Sequence, residues 1–300
     1  LPDIIRSLKS LRGIETQTHV PLASYTTWKV GGPAEFLVQV NDVSSLVELL
    51  KIVRAEEMPL FVLGKGSNIL VSDRGLQGIT MRLGGEFTSV DVSGESLEAG
   101  GGAPLSSLVD RALNASLEGF EFAAGIPGTV GGAVITNAGA FSGSIADVTG
   151  EVETLTMDGK QERHTEIVNT YRSPLVSQRE IVAFARFRLR RGSTDRIRSM
   201  MDSVKAKRRD TQPWGKATAG SVFKNPPGDS AGRMIEQCGL MGKSVGGATV
   251  SDTHANFIVN DRTASASDVT KLIDLIRSEV RARFGIDLEL EIQLVGFDKE

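Results

Sequence analysis

Apolar and polar positions alternate along the chain in two periods, which divide it into short strands and amphipathic helices. Ile4, Ile5, Leu8 and Leu11 fall on one side of a helix over residues 2–12. Residues 35–40 alternate toward a strand. Asp42 is placed to cap a helix carrying Val43, Leu46, Val47, Leu50 and Val53 at helical spacing. Leu60 to Leu63 predicts a short buried strand running straight into Gly64-Lys-Gly-Ser-Asn-Ile-Leu70. Strand, helix, strand and glycine turn in that order make a βαβ-like unit with its loop at a strand end, where ligands collect in α/β sheets.

Residues 78–99 read as short strands, and Pro104 opens a helix with Leu105, Leu108, Val109 and Ala112 facing inward. Residues 151–157 and 181–189 are strand-like, the latter setting Ile181, Ala183, Ala185, Phe187 and Leu189 against Arg186, Arg188 and Arg190. Gly192-Ser-Thr marks a lobe boundary, after which Thr194 is placed to cap a helix with Ile197, Met200, Met201 and Val204 inward. Lys205, Lys207, Arg208 and Arg209 follow, a basic run that reads as a solvated face or a phosphate contact. A short helix holding Ala231, Met234, Ile235 and Cys238 stops at Gly239. Ser267 is placed to cap the last long helix, Gly285 to end it, and Leu288 to Val295 to form a closing strand, with Glu289 and Glu291 on one face of it.

Between these elements lies a glycine-dense stretch, residues 119–143. Gly125, Gly128, Gly131, Gly132 and Gly139 leave the backbone almost bare, so it can approach a ligand closely. Free amides on such a backbone can cradle a diphosphate. The apolar residues between the glycines, Ile126, Val130, Val134 and Ile135, argue against a flexible linker, which would be polar. The stretch reads as a buried, cofactor-facing loop, with a packed backbone crossing as the alternative.

Three hundred residues give room for about two domains and an ample core. A net charge of -3 gives no reason to expect nucleic acid or an anionic membrane as partner. The single cysteine, Cys238, rules out an internal disulfide and suits a reducing compartment. His19, His164 and His254 are far apart in the chain and give no metal-ligand spacing, so no metal is expected. No apolar run approaches the ~20 residues of a membrane span. These features together predict a soluble cytoplasmic protein. The common nucleotide and hydrolase motifs fail. After Gly64 and Gly66 the dinucleotide fingerprint meets Ile69 where its third glycine belongs. The stretch ending Gly242-Lys-Ser has Gln237 in place of the first P-loop glycine. There is no G-x-S-x-G elbow. A nucleotide cofactor would need another glycine architecture.

Thr27-Trp-Lys-Val-Gly-Gly, Gly64-Lys-Gly-Ser-Asn-Ile-Leu and Ala124-Gly-Ile-Pro-Gly-Thr-Val-Gly-Gly-Ala resemble the flavin lobes of the UDP-N-acetylenolpyruvoylglucosamine reductases. Tyr171-Arg, Ala219-Gly-Ser-Val-Phe-Lys-Asn-Pro, Gly246-Gly-Ala and His254-Ala-Asn-Phe-Ile-Val-Asn resemble their substrate lobe, and Leu288 to Gly296 is similar to their C-terminal acidic strand. The likeness runs through nearly the whole chain in order. It implies an α+β protein: the two-lobed FAD-binding fold of the vanillyl-alcohol oxidase type plus a C-terminal α/β substrate-binding lobe. The expected division is residues 1–72 with 288–300 as the first flavin lobe, 73–192 as the second, and 193–287 as the substrate lobe. It further implies FAD, NADPH as co-substrate, and reduction of UDP-N-acetylglucosamine enolpyruvate to UDP-N-acetylmuramate for peptidoglycan. No protein partner is evident. Neither glycine loop holds a histidine or cysteine for covalent flavin attachment, so FAD is expected to be dissociable. An oxidase of the same fold and a non-catalytic flavin or nucleotide-sugar binding module are the competing readings.

Carried over residue by residue, the resemblance makes Ser221 the proton donor, Arg172 the partner of the enolate and Glu291 the acidic catalytic residue. It gives FAD to Gly64, Lys65, Gly66, Ser67 and Asn68, to Ala124, Gly125, Ile126, Pro127 and Gly128, and to Gly131, Gly132 and Ala133. Tyr171, Lys224, Asn225, His254 and Asn256 are expected to position the substrate, with Arg208 and Gln237 as further candidates. Read from the residues alone, Ser221 could be a turn hydroxyl bonded to its own backbone, and His254 a satisfied core histidine. Gln293 and Leu290 depart from the family pattern on either side of Glu291, and no second tyrosine-bearing loop lies between residues 171 and 192. The chain therefore resembles the shorter subtype.

Overall fold

The computed structural model describes residues 2–141 and 143–297. In chain order the first elements are α1 (Pro2–Ser10), β1 (Ile14–Pro21), β2 (Pro33–Val40), α2 (Val43–Ala55), β3 (Leu60–Val62), β4 (Ile69–Val71) and β5 (Leu76–Leu83). Next come β6 (Val90–Ser93), β7 (Ser96–Gly100), α3 (Leu105–Asn114), β8 (Leu117–Glu118), α4 (Val130–Thr136), β9 (Gly139–Ala140) and β10 (Gly143–Ser144). They are followed by β11 (Thr149–Leu155), β12 (Gln161–His164), β13 (Ile181–Arg188), β14 (Arg190–Arg191) and α5 (Thr194–Thr211). The last are α6 (Ala231–Gln237), β15 (Ser244–Val245), β16 (Ala248–Val250), β17 (Ile258–Asn260), α7 (Ala266–Phe284) and β18 (Gln293–Val295).

The chain forms two compact units. One gathers residues 1–18, 36–64 and 78–207; the other gathers 19–35, 65–77 and 208–300. In the first unit a sheet of order β1-β2-β5-β3 packs on α2, whose Leu46, Leu49 and Leu50 meet Phe36, Val38, Ile79 and Met81. Asp42 caps α2 as its position predicts, its carboxylate accepting from Ser45 N at 2.8 Å. An antiparallel sheet of order β12-β11-β13-β7-β6 carries the other core of this unit, where Phe187 and Ala185 meet α3 and α4. The second unit buries Trp28, Leu70 and Phe223 against α6, α7 and the β15-β16-β17 sheet, and pairs β18 parallel to β4. Trp28 donates its indole N–H to Ile258 O at 2.8 Å, satisfying the polar end of a fully buried ring.

Several local expectations shift. Residues 60–62 lie at a sheet edge beside β5 alone, so Val62 is 40% exposed rather than buried. Thr194 begins α5 instead of capping it, and its hydroxyl pairs with Ser116 Oγ at 2.7 Å. The cap of α7 is Ser265, not Ser267. Ser265 and Asp268 exchange side-chain to backbone hydrogen bonds at 3.0 Å, a capping box, and Ser267 N is held by Asp73. Only residues 293–295 of the closing segment are strand. Leu290 forms an isolated bridge to Phe223 ahead of that strand. The glycine-dense stretch contains the helix α4, and Gly125, Pro127 and Gly132 are exposed, so it is not a loop buried throughout.

Candidate functional site

In the first unit the glycine-rich loop is held backbone to backbone. Gly131 N donates to Gly101 O at 2.8 Å, Val130 N to Ala103 O at 2.9 Å and Leu105 N to Gly128 O at 3.1 Å. A Cβ on Gly131 would sit 3.0 Å from Gly101 O, so this crossing leaves little room for a side chain. A Cβ on Gly64 would come within 2.7 Å of Thr129 Oγ1. Thr129 is the N-cap of α4, accepting from Gly132 N at 3.3 Å. The N–H groups of Gly125, Gly128 and Thr129 have no acceptor among the described residues. Gly125 (φ 81) and Gly128 (φ 151) adopt backbone that side-chain-bearing residues avoid. Ala124 and Ala133 are buried, while Ile126 is half-buried.

Tyr171 and Arg172 lie in the irregular segment between β12 and β13 of the same unit. Tyr171 is 60% exposed, and the Arg172 guanidinium carbon stands 5.6 Å from its ring centroid. Arg172 has φ 52, a left-handed backbone that costs about 1–3 kcal/mol unless its surroundings hold it. Its Nη1 and Nη2 donate to the carbonyls of Asn137 and Gly139, each at 3.3 Å.

In the second unit, residues 221–225 run between two neighbours that fix them. Ser221 bridges to Phe257, and Val222 N donates to Asn256 O at 2.9 Å. The Asn256 amide, 3% exposed, accepts from Phe223 N at 3.0 Å and donates to Phe223 O at 2.8 Å. On the other side Glu291 N donates to Val222 O and Lys224 N to Glu289 O, both at 2.8 Å. Asn68 joins this frame, donating from Nδ2 to Glu291 O at 3.1 Å and accepting from Gln293 N at 3.0 Å. Gly66 (φ 60) is buried against Tyr25 and Thr26, with Thr27 N donating to its carbonyl at 3.1 Å. Lys65 is exposed, and Ser67 half-buried. The frame therefore brings together Asn68, Ser221, Lys224, Asn256 and Glu291. The Ser221 hydroxyl makes no hydrogen bond among the described residues, unlike a turn serine bonded to its own backbone. Lys224 Nζ lies 3.3 Å from Glu289 Oε2.

His254 is half-buried, its Nδ1 accepting from Asn256 N at 3.2 Å, which leaves the proton on Nε2. Burial pushes its pKa below the ordinary 6.5. A Cβ on Gly232 of α6 would stand 3.2 Å from its ring, so that glycine makes room for it. Asn225 Oδ1 takes the N–H of Ala231 at the start of α6 at 3.1 Å. Of the two readings of its basic run, Arg208 does not take the fully solvated face. Its Nε is shielded from solvent with no partner among the described residues, and burial lowers its pKa. Gln237 is exposed at the end of α6, outside this network.

Residues 34–165 match the model of the FAD binding domain, and residues 212–295 match that of the UDP-N-acetylenolpyruvoylglucosamine reductase C-terminal domain. The chain is 44% identical over 299 residues to UDP-N-acetylenolpyruvoylglucosamine reductase 2 of Symbiobacterium thermophilum, covering 99% of this chain and 96% of the relative. The chain belongs to the UDP-N-acetylenolpyruvoylglucosamine reductase family. The reductase of Halalkalibacterium halodurans is 40% identical over 299 residues, covering 99% of both chains. The crystal structure of the reductase from Thermus caldophilus superposes with a TM-score of 0.81 at 39% identity, covering 94% of this chain and 98% of that one. A berberine bridge enzyme, a reticuline dehydrogenase, shares the fold alone, with a TM-score of 0.50 at 10% identity over 64% of this chain and 44% of that one. The fold is thus the vanillyl-alcohol oxidase type of flavin fold joined to the reductase C-terminal domain, and the chain is an FAD oxidoreductase of peptidoglycan precursor synthesis. Its first unit offers the cofactor amides with no acceptor among the described residues, on backbone where Gly125 and Gly128 carry no side chain, the pattern that suits a diphosphate.

Three features of this reductase were not read from the sequence. Asn137 is 2% exposed in left-handed backbone (φ 42) and bonds to the Arg172 segment. Thr129 fills the space beside Gly64; a threonine before Val-Gly-Gly-Ala was its only signal. Glu162, His164 and Glu180 bring ligand-type atoms within 4.8 Å of one another, although the histidines compared among themselves gave no such grouping. His164 Nε2 lies 2.7 Å from Glu180 Oε2, and Thr154 Oγ1 donates to that same oxygen at 2.5 Å. His164, Glu180 and Thr154 thus form a hydrogen-bond network at the base of residues 165–179.

Proposed function

We propose that the chain catalyses NADPH-dependent reduction of UDP-N-acetylglucosamine enolpyruvate to UDP-N-acetylmuramate in the cytoplasm. Residues 1–72 with 288–300 and residues 73–192 serve as flavin lobes in this reading, and 193–287 as the substrate lobe. FAD, when bound, supplies the hydride chemistry between NADPH and the double bond. The residues of the chain manage the charge and the proton that this reduction requires. As the terminal carbon of the enolpyruvyl group is reduced, negative charge develops on the neighbouring carbon and spreads into its carboxylate. Arg172 offers that carboxylate a planar, permanently charged fork. Donors already aimed at developing charge give the largest electrostatic benefit. Ser221 Oγ then gives its proton to the charged carbon, completing addition across the bond. Glu291, whose backbone is hydrogen-bonded to Val222, serves this transfer in protonated or hydrogen-bonded form, since a bare carboxylate would repel the developing charge.

For the sugar nucleotide, Arg208 supplies a half-desolvated cation suited to the diphosphate. His254 presents Nε2–H as a neutral donor, and Tyr171, Lys224, Asn225 and Gln237 complete the polar contacts. Asn256 acts through the backbone of Phe223, because both ends of its amide are engaged there. The observation that carries the reading is the Ser221 hydroxyl: it has no acceptor among the described residues, on a segment pinned from both sides. Anaerobic mixing tests it. NADPH should bleach the visible flavin bands of the holoenzyme, and the enolpyruvyl sugar should restore them without oxygen. A flavin that NADPH leaves oxidised, or that the sugar leaves reduced, overturns the reading.

A further inference from the structure

Arg172 belongs to a stretch without regular secondary structure between His164 and Ile181, and its own backbone is left-handed at φ 52. Such a residue keeps one orientation only where its neighbours over-determine it. The neighbour here is Asn137, at the C-terminal end of α4, the helix that grows out of the glycine-rich loop. Its side chain is 2% exposed and every polar atom is used. Nδ2 donates to Asn169 Oδ1 at 3.1 Å and to Thr170 O at 3.0 Å. Oδ1 accepts from Ala146 N at 3.1 Å. Its carbonyl accepts Arg172 Nη1 at 3.3 Å. Asn169 is tied on in turn to Asp147 Oδ1 at 2.6 Å. One buried amide thus holds the main chain two residues before Arg172, while the carbonyl of the same residue receives the guanidinium.

We infer that Asn137 is a positioning residue for Arg172, tying the segment that carries the guanidinium to the helix of the flavin loop. The inference rests on the assignment of Arg172 to the substrate carboxylate. Asparagine suits the place because it tolerates left-handed backbone and offers two donors and an acceptor on a short stem. Aspartate would keep the acceptor for Ala146 and lose both donors. Glycine would keep the backbone and lose the whole side chain.

The test follows the two half-reactions of the holoenzyme by anaerobic stopped flow. Asn137→Asp and Asn137→Gly are expected to retain FAD and to be reduced by NADPH within about twofold of the unsubstituted rate. Flavin reoxidation by the enolpyruvyl sugar should slow by about tenfold or more, the scale of a misplaced catalytic group. Asn169→Ala, at an exposed position that leaves α4 untouched, should slow the same step less, and it carries the test if the Asn137 variants lose FAD. Adding Asn137→Asp to Arg172→Ala should slow reoxidation no further than Arg172→Ala alone. Unchanged reoxidation in the Asn137 and Asn169 variants, while Arg172→Ala is slow, overturns the inference and leaves the assignment of Arg172 standing. Full-rate reoxidation by Arg172→Ala overturns that assignment and the inference with it.

Discussion

In the first unit, the region proposed for the cofactor is shaped by what is missing from it: Gly131 lies on Gly101, Gly64 beside Thr129, and main chain hydrogen-bonds main chain. In the second, the Ser221 segment is shaped by a side chain, the Asn256 amide spanning both polar groups of Phe223. The first region is vulnerable to added atoms and the second to removed ones. The difference suits their proposed roles. A diphosphate binds well to a row of backbone amides, whereas a proton donor needs one hydroxyl held at one place.

The largest expected effect is on the hydroxyl itself. Ser221→Ala should lower turnover by roughly 10²–10⁴ while FAD content and reduction by NADPH stay intact, measured by steady-state and half-reaction kinetics. Next is the amide behind it. Asn256→Ala leaves a buried N–H and a buried C=O of Phe223 unpaired, at about 1–3 kcal/mol each, so urea unfolding should show a loss of about 2–6 kcal/mol. A loss under about 1 kcal/mol would mean that side-chain bonding does not hold this segment.

On the glycine side, Gly101→Ala drives a methyl onto the carbonyl oxygen of Val182, main chain that cannot rotate away. Overpacking of that kind costs about 1–3 kcal/mol and should weaken FAD binding. Gly132→Ala sharpens the contrast, because its Cβ would meet only Thr129 Oγ1, at 3.4 Å. Stability should hold or rise slightly, as expected for Ala over Gly in a helix, while FAD titration shows weaker binding. Unaltered FAD affinity would remove that backbone from the cofactor site.

The smallest effect concerns His254. Burial holds its pKa below 6.5, so the unfolded chain takes up a proton that the folded chain resists. Stability should therefore fall as pH drops through about 6.5 and below, and His254→Gln should flatten that slope in pH-dependent unfolding. An unchanged slope would place the proton uptake elsewhere.

What could be read from the sequence follows the range of the interaction responsible. Asp42 and its helix were legible because a cap acts over three residues and an apolar stripe over one turn. The glycine loops were legible because φ restrictions act on single residues. Ser265 was missed for Ser267 because both precede the same apolar stripe. Only the reciprocal bond with Asp268 separates them. The Asn137–Arg172 contact joins residues 35 apart through carbonyls that no periodicity marks. Glu291 was placed on a regular strand because residues 288–295 alternate. Instead Glu291 N donates to Val222 O and Glu289 O accepts from Lys224 N, and only Gln293–Val295 are strand.

β4 leaves the ribosome well before its hydrogen-bonding partner β18, which lies about 220 residues further along the chain. At typical elongation rates of about 5–20 residues per second, the edge of Ile69–Val71 waits on the order of ten seconds or more for Gln293–Val295. During that interval the nascent second unit exposes a short apolar edge, a natural target for holdase chaperones. Its completion waits on translation of Gln293–Val295 rather than on the intrinsic speed of folding.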